Sequence, residues 1–178
     1  MKKIILGLSL IAISLMLFNC GGSPGWYMKP PRSRDAYYGS GQGSKTRAEM
    51  ARQTADARAR DAVARTVELR VTNLFKNFMQ ESGVGVESEA LEFTSSVSKQ
   101  VVSNVIRGCQ ITKREMKQKG KLYQCYSLAK YDTDALINET KEAARHYRAL
   151  YNEAKANMEF KELEKEIEKL KNLEGAEY

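Results

Sequence analysis

The sequence predicts an α+β domain: a small antiparallel sheet of three to four strands packed by two helices, with a long carboxy-terminal helix after it. Three observations predict this. A stripe of alanines at helical spacing follows a glycine-rich stretch; two alternating segments flank a Lys-Gly pair; and a helical period runs through the last quarter of the chain. The 178 residues leave room for one domain.

Met1-Lys2-Lys3 is a basic start, and Ile4–Phe18 follows as fifteen residues without charge or proline. A comfortable bilayer-spanning helix needs ~20 residues, so this shorter run reads as an export signal over residues 1–19. Leu17-Phe18-Asn19-Cys20-Gly21-Gly22-Ser23 then resembles a lipobox, with an aliphatic residue three before Cys20 and small residues after it. Phe18 and Asn19 depart from the usual small residues; looser lipoboxes of this kind occur in some lineages, spirochaetes among them. Cys20 is therefore the expected lipidation site, with the membrane as its partner. Three hydrocarbon chains on one residue hold firmly, since two already give stable anchoring. No Asp follows Cys20. The enteric inner-membrane retention signal is thus missing, which favours the outer membrane, at its periplasmic face or at the cell surface.

Residues 20–35 read as a lipidated flexible tether, because Pro30-Pro31 imposes extended backbone and the Gly/Ser/Pro content opposes helix. Ala36–Ser44 holds Tyr37-Tyr38 and alternating glycines, a strand over which other backbone passes closely. Ser44 is placed to cap the next helix, whose alanines at 48, 51, 55, 59 and 62 share one face. That helix is expected to end near Arg65. Val67-Glu68-Leu69-Arg70-Val71 alternates as a strand does, and the strand is extended to about Met79 although Leu74, Phe75, Phe78 and Met79 also fit a helical period. After Gly83-Val84-Gly85 a second amphipathic helix covers Glu87 to Val105, with Leu91, Ser98, Val101 and Val105 facing inward.

Arg107–Lys117 and Lys121–Tyr131 form a hairpin. A two-residue loop of Lys119-Gly120 pairs Gln118 with Lys121. On that register Cys109 and Ile111 share a face with Leu122, Tyr126 and Leu128, while Cys125 points to the other, so both thiols are expected to stay free. Asp132 or Thr133 caps the last helix, expected to reach Leu173. At ~1.5 Å per residue it would extend ~60 Å, longer than a small domain is wide. The domain is bounded at 36–155, with 156–178 a charged helical extension. Phe160, Leu163, Ile167 and Leu170 form an apolar seam on that extension. The seam is a candidate self-association face, covered by a second copy, by an envelope partner, or by packing back on the domain.

The net charge of +7 includes Lys2 and Lys3, leaving +5 after signal removal. Its cations are dispersed among acids except in Lys113–Lys121, so a solvated surface is favoured and no nucleic-acid partner is expected. Gly39-Ser-Gly-Gln-Gly43-Ser44-Lys45-Thr46 has Ser where a phosphate-binding loop needs Gly before Lys. His146 is the sole histidine, with no acid or cysteine cluster to make a zinc site or a base–nucleophile pair. No catalytic, cofactor-binding or metal residues are assigned, and the protein is not expected to be an enzyme.

The order of elements rests on three stretches. These are Tyr37-Tyr38-Gly39-Ser40-Gly41; Ala51-Arg52 through Asp61-Ala62 into Val67-Glu68-Leu69-Arg70-Val71; and Leu122–Tyr131 just before a helix. Together they resemble the twenty-kilodalton bacterial outer-membrane lipoprotein family, whose domain is also similar to the amino-terminal domain of a flagellar assembly protein. The resemblance covers about residues 36–150. It implies a non-enzymatic envelope component with a helix-on-antiparallel-sheet domain, oligomeric in some members as rings or disks at the flagellar motor. The alternative is a surface-exposed lipoprotein that binds a small ligand or host component, which would need a pocket between sheet and helices.

Overall fold

A computed structural model describes residues 22–81, 88–148 and 156–173. Its elements in chain order are α1 (Gly25–Met28), β1 (Ala36–Lys45), α2 (Ala48–Glu81), α3 (Ser88–Gly108), β2 (Gln110–Lys119), β3 (Leu122–Asp132), α4 (Thr133–Arg148), α5 (Ala156–Glu168) and α6 (Leu170–Leu173). The sheet is antiparallel, in the order β1-β3-β2. The α+β class and the three-stranded sheet are as the sequence predicts.

The alanine stripe and the glycine strand form one interface. Gly39, Gly41 and Gly43 face α2, and Ala51, Ala55 and Ala59 are fully buried against them. A Cβ on Gly39 would lie 2.6 Å from the Ala59 carbonyl oxygen, and one on Gly41 or Gly43 would come closer still to helix backbone. The two periods match. Four helical residues rise ~6.0 Å and two strand residues ~6.6 Å, so each successive alanine meets the next glycine, helix and strand running in opposite directions. The glycine run is therefore packed under a helix and offers no phosphate cradle.

The expected strand at Val67–Met79 is instead the second half of α2, which continues unbroken to Glu81. Val67, Val71, Phe75 and Phe78 are buried, whereas Leu69 is 66% exposed. A strand would have put Val67, Leu69 and Val71 on one face, so the helical period decides. This half of α2 packs on α3, with Val97, Val101 and Val105 in the same core. Thr72 Oγ1 and Ser98 Oγ meet at 3.1 Å between these helices. Leu91, expected inside α3, is 49% exposed; Thr94 and Val97 take the inner position.

Two further expectations shift. Ser44 lies within β1, paired with Gln124, and α2 begins only at Ala48, so Ser44 does not cap it. The residues read as tether contain the short α1, with Pro24 buried against the domain.

The hairpin forms with Lys119 opposite Leu122, one residue beyond the expected register, and Gly120 takes φ +60° in the turn. Glycine adopts that left-handed conformation without Cβ strain. A bulge between Ile111 and Lys113 then moves Ile111 to the helix side of the sheet. Cys109, Ile111, Cys125, Ala129 and Tyr131 all lie on that side, and Leu122, Tyr126 and Leu128 lie on the other. The expected division of faces is corrected accordingly. Both thiols are free and buried, for a different reason than parity. Cys125 pairs with Met116, seven residues along β2 from Cys109, or ~23 Å of strand.

The carboxy-terminal region is not one long helix. Helices α4 and α5 lie antiparallel, joined by Arg145–Glu164 at 2.5 Å and Lys141–Glu168 at 2.8 Å, with Lys171–Asp134 at 2.9 Å beyond. Residues 149–155 lie outside the described segments. Leu163, Ile167 and Leu170 enter the main core beside Leu136 and Val71. These three are buried within their own chain, which is the third of the covers expected for the seam, packing back on the domain; the side chain of Phe160 lies outside what is described. Burying such side chains contributes ~1.5–3 kcal/mol each, which outweighs the gain of leaving the helix in solvent.

Candidate functional site

Three places bring polar chemistry together: the helix–sheet interface, the two buried thiols, and the outer face of the sheet where the amino-terminal segment docks.

At the interface, Asp56 of α2 points between β2 and β3. Its carboxylate accepts Ser127 Oγ at 2.6 Å and Arg114 Nε and Nη2, each at 2.9 Å. Arg114 and Ser127 are register partners across the strands, which places both donors under one helix position. Burial pushes the Asp56 carboxyl up, but the hydrogen bonds from Arg114 and Ser127 outweigh it and hold it below its ordinary value. The acid is therefore ionised and internally paired, a structural bridge rather than a proton donor. A depressed folded-state pKa adds stability that is present above the ordinary 3.8 and is lost as pH falls through the lower folded value. Asp56→Asn is expected to lower stability at neutral pH by about 1–3 kcal/mol and to flatten the acid limb. Urea unfolding at a series of pH values checks both; an Asn variant with unchanged acid sensitivity would contradict the pairing.

Burial raises the Cys109 thiol to about 11, and also raises Cys125. Such thiols carry little thiolate at neutral pH and are poor nucleophiles. Tyr131, in the same core, is pushed up to about 12, again first by burial. His146 sits exposed on α4. Among the described residues no group of three or more His, Cys, Asp and Glu could hold a metal ion. Between α4 and α5 lies an open depression lined by Ile137 and Asn138 among others, its acids Asp134 and Glu168 ion-paired to Lys171 and Lys141.

The outer face of the sheet receives the residues that lead to the expected anchor. Tyr27 stacks edge-on against Tyr126 with ring centroids 4.9 Å apart. Its hydroxyl reaches Gln42 Oε1 at 3.4 Å, and Ser40 Oγ donates to its carbonyl at 2.9 Å. Lys117 Nζ donates to the Gly22 carbonyl at 2.8 Å. The segment from Gly22 to Tyr27 is therefore seated on the domain across β1 and β3, with Gly22 beside β2. Cys20 itself lies outside the described residues.

Neither arrangement is legible in the sequence. Asp56 was one acid among many on a charged helix, and only strand register shows that Arg114 and Ser127 converge on it. Tyr27 stood in a stretch whose glycine and proline content masked a docking contact. Its aromatic neighbour Trp26 was the one available signal, since large aromatic residues in a linker tend to find a surface.

No helix among the described residues is long and apolar enough to cross a membrane. Nothing among curated proteins or solved structures matches the chain. The family model of the LPP20 lipoprotein matches residues 24–128, which runs from the docked segment through both halves of α2 and the hairpin. The match takes in more than half of the chain, and the chain belongs to the LPP20 lipoprotein family.

Proposed function

We propose that this protein is a non-enzymatic component of the bacterial outer membrane, held there by acyl chains on Cys20 and contributing structure to the envelope through self-association or an envelope partner. The observation that carries this reading is the filled helix–sheet interface. In a sheet-plus-helix domain a ligand cavity would open between the layers, where glycine meets helix backbone at Gly39, Gly41 and Gly43. The carboxylate at this interface, Asp56, is already engaged by Arg114 and the Ser127 hydroxyl. An assembly role at the flagellar base is the more specific form of this proposal.

For assembly the β1 edge is the better surface, now that the carboxy-terminal seam is spent on the core. Strand β2 carries Lys113, Glu115, Lys117 and Lys119, charges that guard an edge against pairing. From Ala36 to Ser44, β1 has no charged side chain. Arg58 Nη1 covers one of its outward carbonyls, that of Gln42, at 2.8 Å.

Growth with labelled palmitate tests the anchor: the wild-type protein takes up label and Cys20→Ser does not. Label persisting in the variant would overturn it. Light scattering after size exclusion of the mature chain tests assembly, with an oligomer expected; a strictly monomeric protein, with no envelope protein recovered by cross-linking in cells, refutes it.

A further inference from the structure

We propose that the end of the domain formed by the hairpin tip and the start of α2 is a membrane-contact surface, docking on the anionic headgroups of the leaflet that holds the anchor. The inference rests on the reading that Cys20 is acylated and adds an orientation to it.

The register gathers this end. Lys45 at the close of β1 pairs with Tyr123, Lys119 pairs with Leu122 across the turn, and α2 starts three residues after Lys45. The same end holds the amino-terminal segment, because Lys117 Nζ donates to the Gly22 carbonyl at 2.8 Å and Pro24 is buried. Cys20 is two residues before Gly22, and two residues span at most ~7 Å. Acyl chains on Cys20 must therefore enter the bilayer beside the hairpin tip. A long tether would leave the domain free to present any face, but here the chain is seated on the domain from Gly22 onward, two residues from the expected anchor.

The surface brought there has the composition of a headgroup contact. Lys45, Arg47, Lys119 and Lys121 are exposed. The two acids of this end do not offset them: Glu49 is paired with Arg52 at 2.6 Å, and Glu115 with Lys117 at 2.9 Å. Three large apolar side chains left in solvent, Met50, Met116 and Leu122, also lie at this end, each 40–47% exposed. Lysine and arginine around apolar side chains suit the boundary between headgroups and acyl chains, where cations sit outward and apolar atoms reach inward. Each cation close to an anionic surface strengthens the contact about fivefold, so four act together as a substantial attraction. The far end of the sheet, where Ala36 pairs with Asp132 and Gln110 with Lys130, is held away from the leaflet.

The test uses the acylated mature protein in vesicles of phosphatidylcholine, with or without phosphatidylglycerol. An environment-sensitive fluorophore is placed on Gln118→Cys at the tip or on Arg107→Cys at the far end, both exposed positions, while Cys109 and Cys125 are buried from the reagent. Flotation with the vesicles reports the anchor, and quenching by headgroup spin-labelled lipid reports the docking. Quenching is expected to be several-fold stronger at position 118 than at 107, and stronger again with phosphatidylglycerol. Lys119→Glu with Lys121→Glu should remove the phosphatidylglycerol-dependent gain while flotation is unchanged. Floating protein with equal quenching at both positions, or with a gain that ignores lipid charge, sinks the docking alone. Protein that fails to float sinks the acylation reading and the orientation together.

Discussion

Gly41→Val is expected to abolish stable folding. A Cβ at this position would overlap the Ala55 carbonyl oxygen and the Ala59 nitrogen, both helix backbone. A crowded side chain can rotate away, whereas backbone atoms inside a helix move only with the whole helix. Lifting α2 off β1 would break the Gly39 and Gly43 contacts as well, since the three glycines share one repeat with Ala51, Ala55 and Ala59. Ordinary overpacking costs ~1–3 kcal/mol. Here the cost is expected at or above the top of that range, a large share of the ~5–15 kcal/mol that stabilises a typical domain. Gly25→Ala is the matched control, because nothing lies within 4 Å of the added Cβ. Urea titration followed by circular dichroism should show Gly25→Ala unfolding near wild type and Gly41→Val unfolded or nearly so in buffer. Equal midpoints for Gly41→Val and wild type would contradict the close interface.

The second large effect is expected from Ile167→Asp. Ile167 is fully buried, together with Leu163 and Leu170, and the surrounding ion pairs lie at the solvent edge. Cavity-forming substitution of a buried isoleucine costs ~2–5 kcal/mol, and an unpaired carboxylate adds desolvation to it. The cheapest response is for α5 and α6 to leave the core, so the loss saturates near the energy of docking them. Amide hydrogen exchange should accelerate throughout α5, and a hydrophobic dye should bind the uncovered surface of α2 and α4. Glu162→Lys, at an exposed position of the same helix, should change little. Unaltered protection of α5 in Ile167→Asp would mean that this helix is not packed on the core.

The parts of the fold legible in the sequence were those with one unambiguous period. The alanine face of α2, the glycines of β1 and the second amphipathic helix fall in this class. Val67–Val71 was not, because five residues of apolar–charged alternation satisfy both periods. What settled the segment is continuity: α2 is already propagating from Ala48, and no glycine or proline interrupts it before Glu81. β-branched valines cost a helix only a few tenths of a kcal/mol each, far less than the burial of Val67, Val71 and Phe75 returns. The bulge at Thr112 left no mark in composition, yet it decides which side Cys109 and Ile111 occupy. The seam at Leu163, Ile167 and Leu170 was visible as an apolar stripe, but a stripe shows only that a surface needs cover. Its partner is α4 and α2 of the same chain, a tertiary fact outside the reach of local pattern.

The site was legible to a different degree. The lipobox-like stretch points to one residue, Cys20, by sequence alone. That the residues just beyond it are seated on the sheet through Tyr27 and Lys117 depends on the register of β1, β3 and β2 and was hidden until that register was known. An expected linker is thus seated on the sheet, and the proposed orientation of the domain toward its membrane rests on that contact.

Anchoring and orientation both require that the mature chain begin at an acylated Cys20. Mass spectrometry of the amino-terminal peptide, from protein extracted out of the native membrane, measures this without further assumption. The expected first residue is Cys20 bearing a thioether-linked diacylglycerol. A mature terminus at any other residue, or Cys20 recovered as a free thiol, would contradict it.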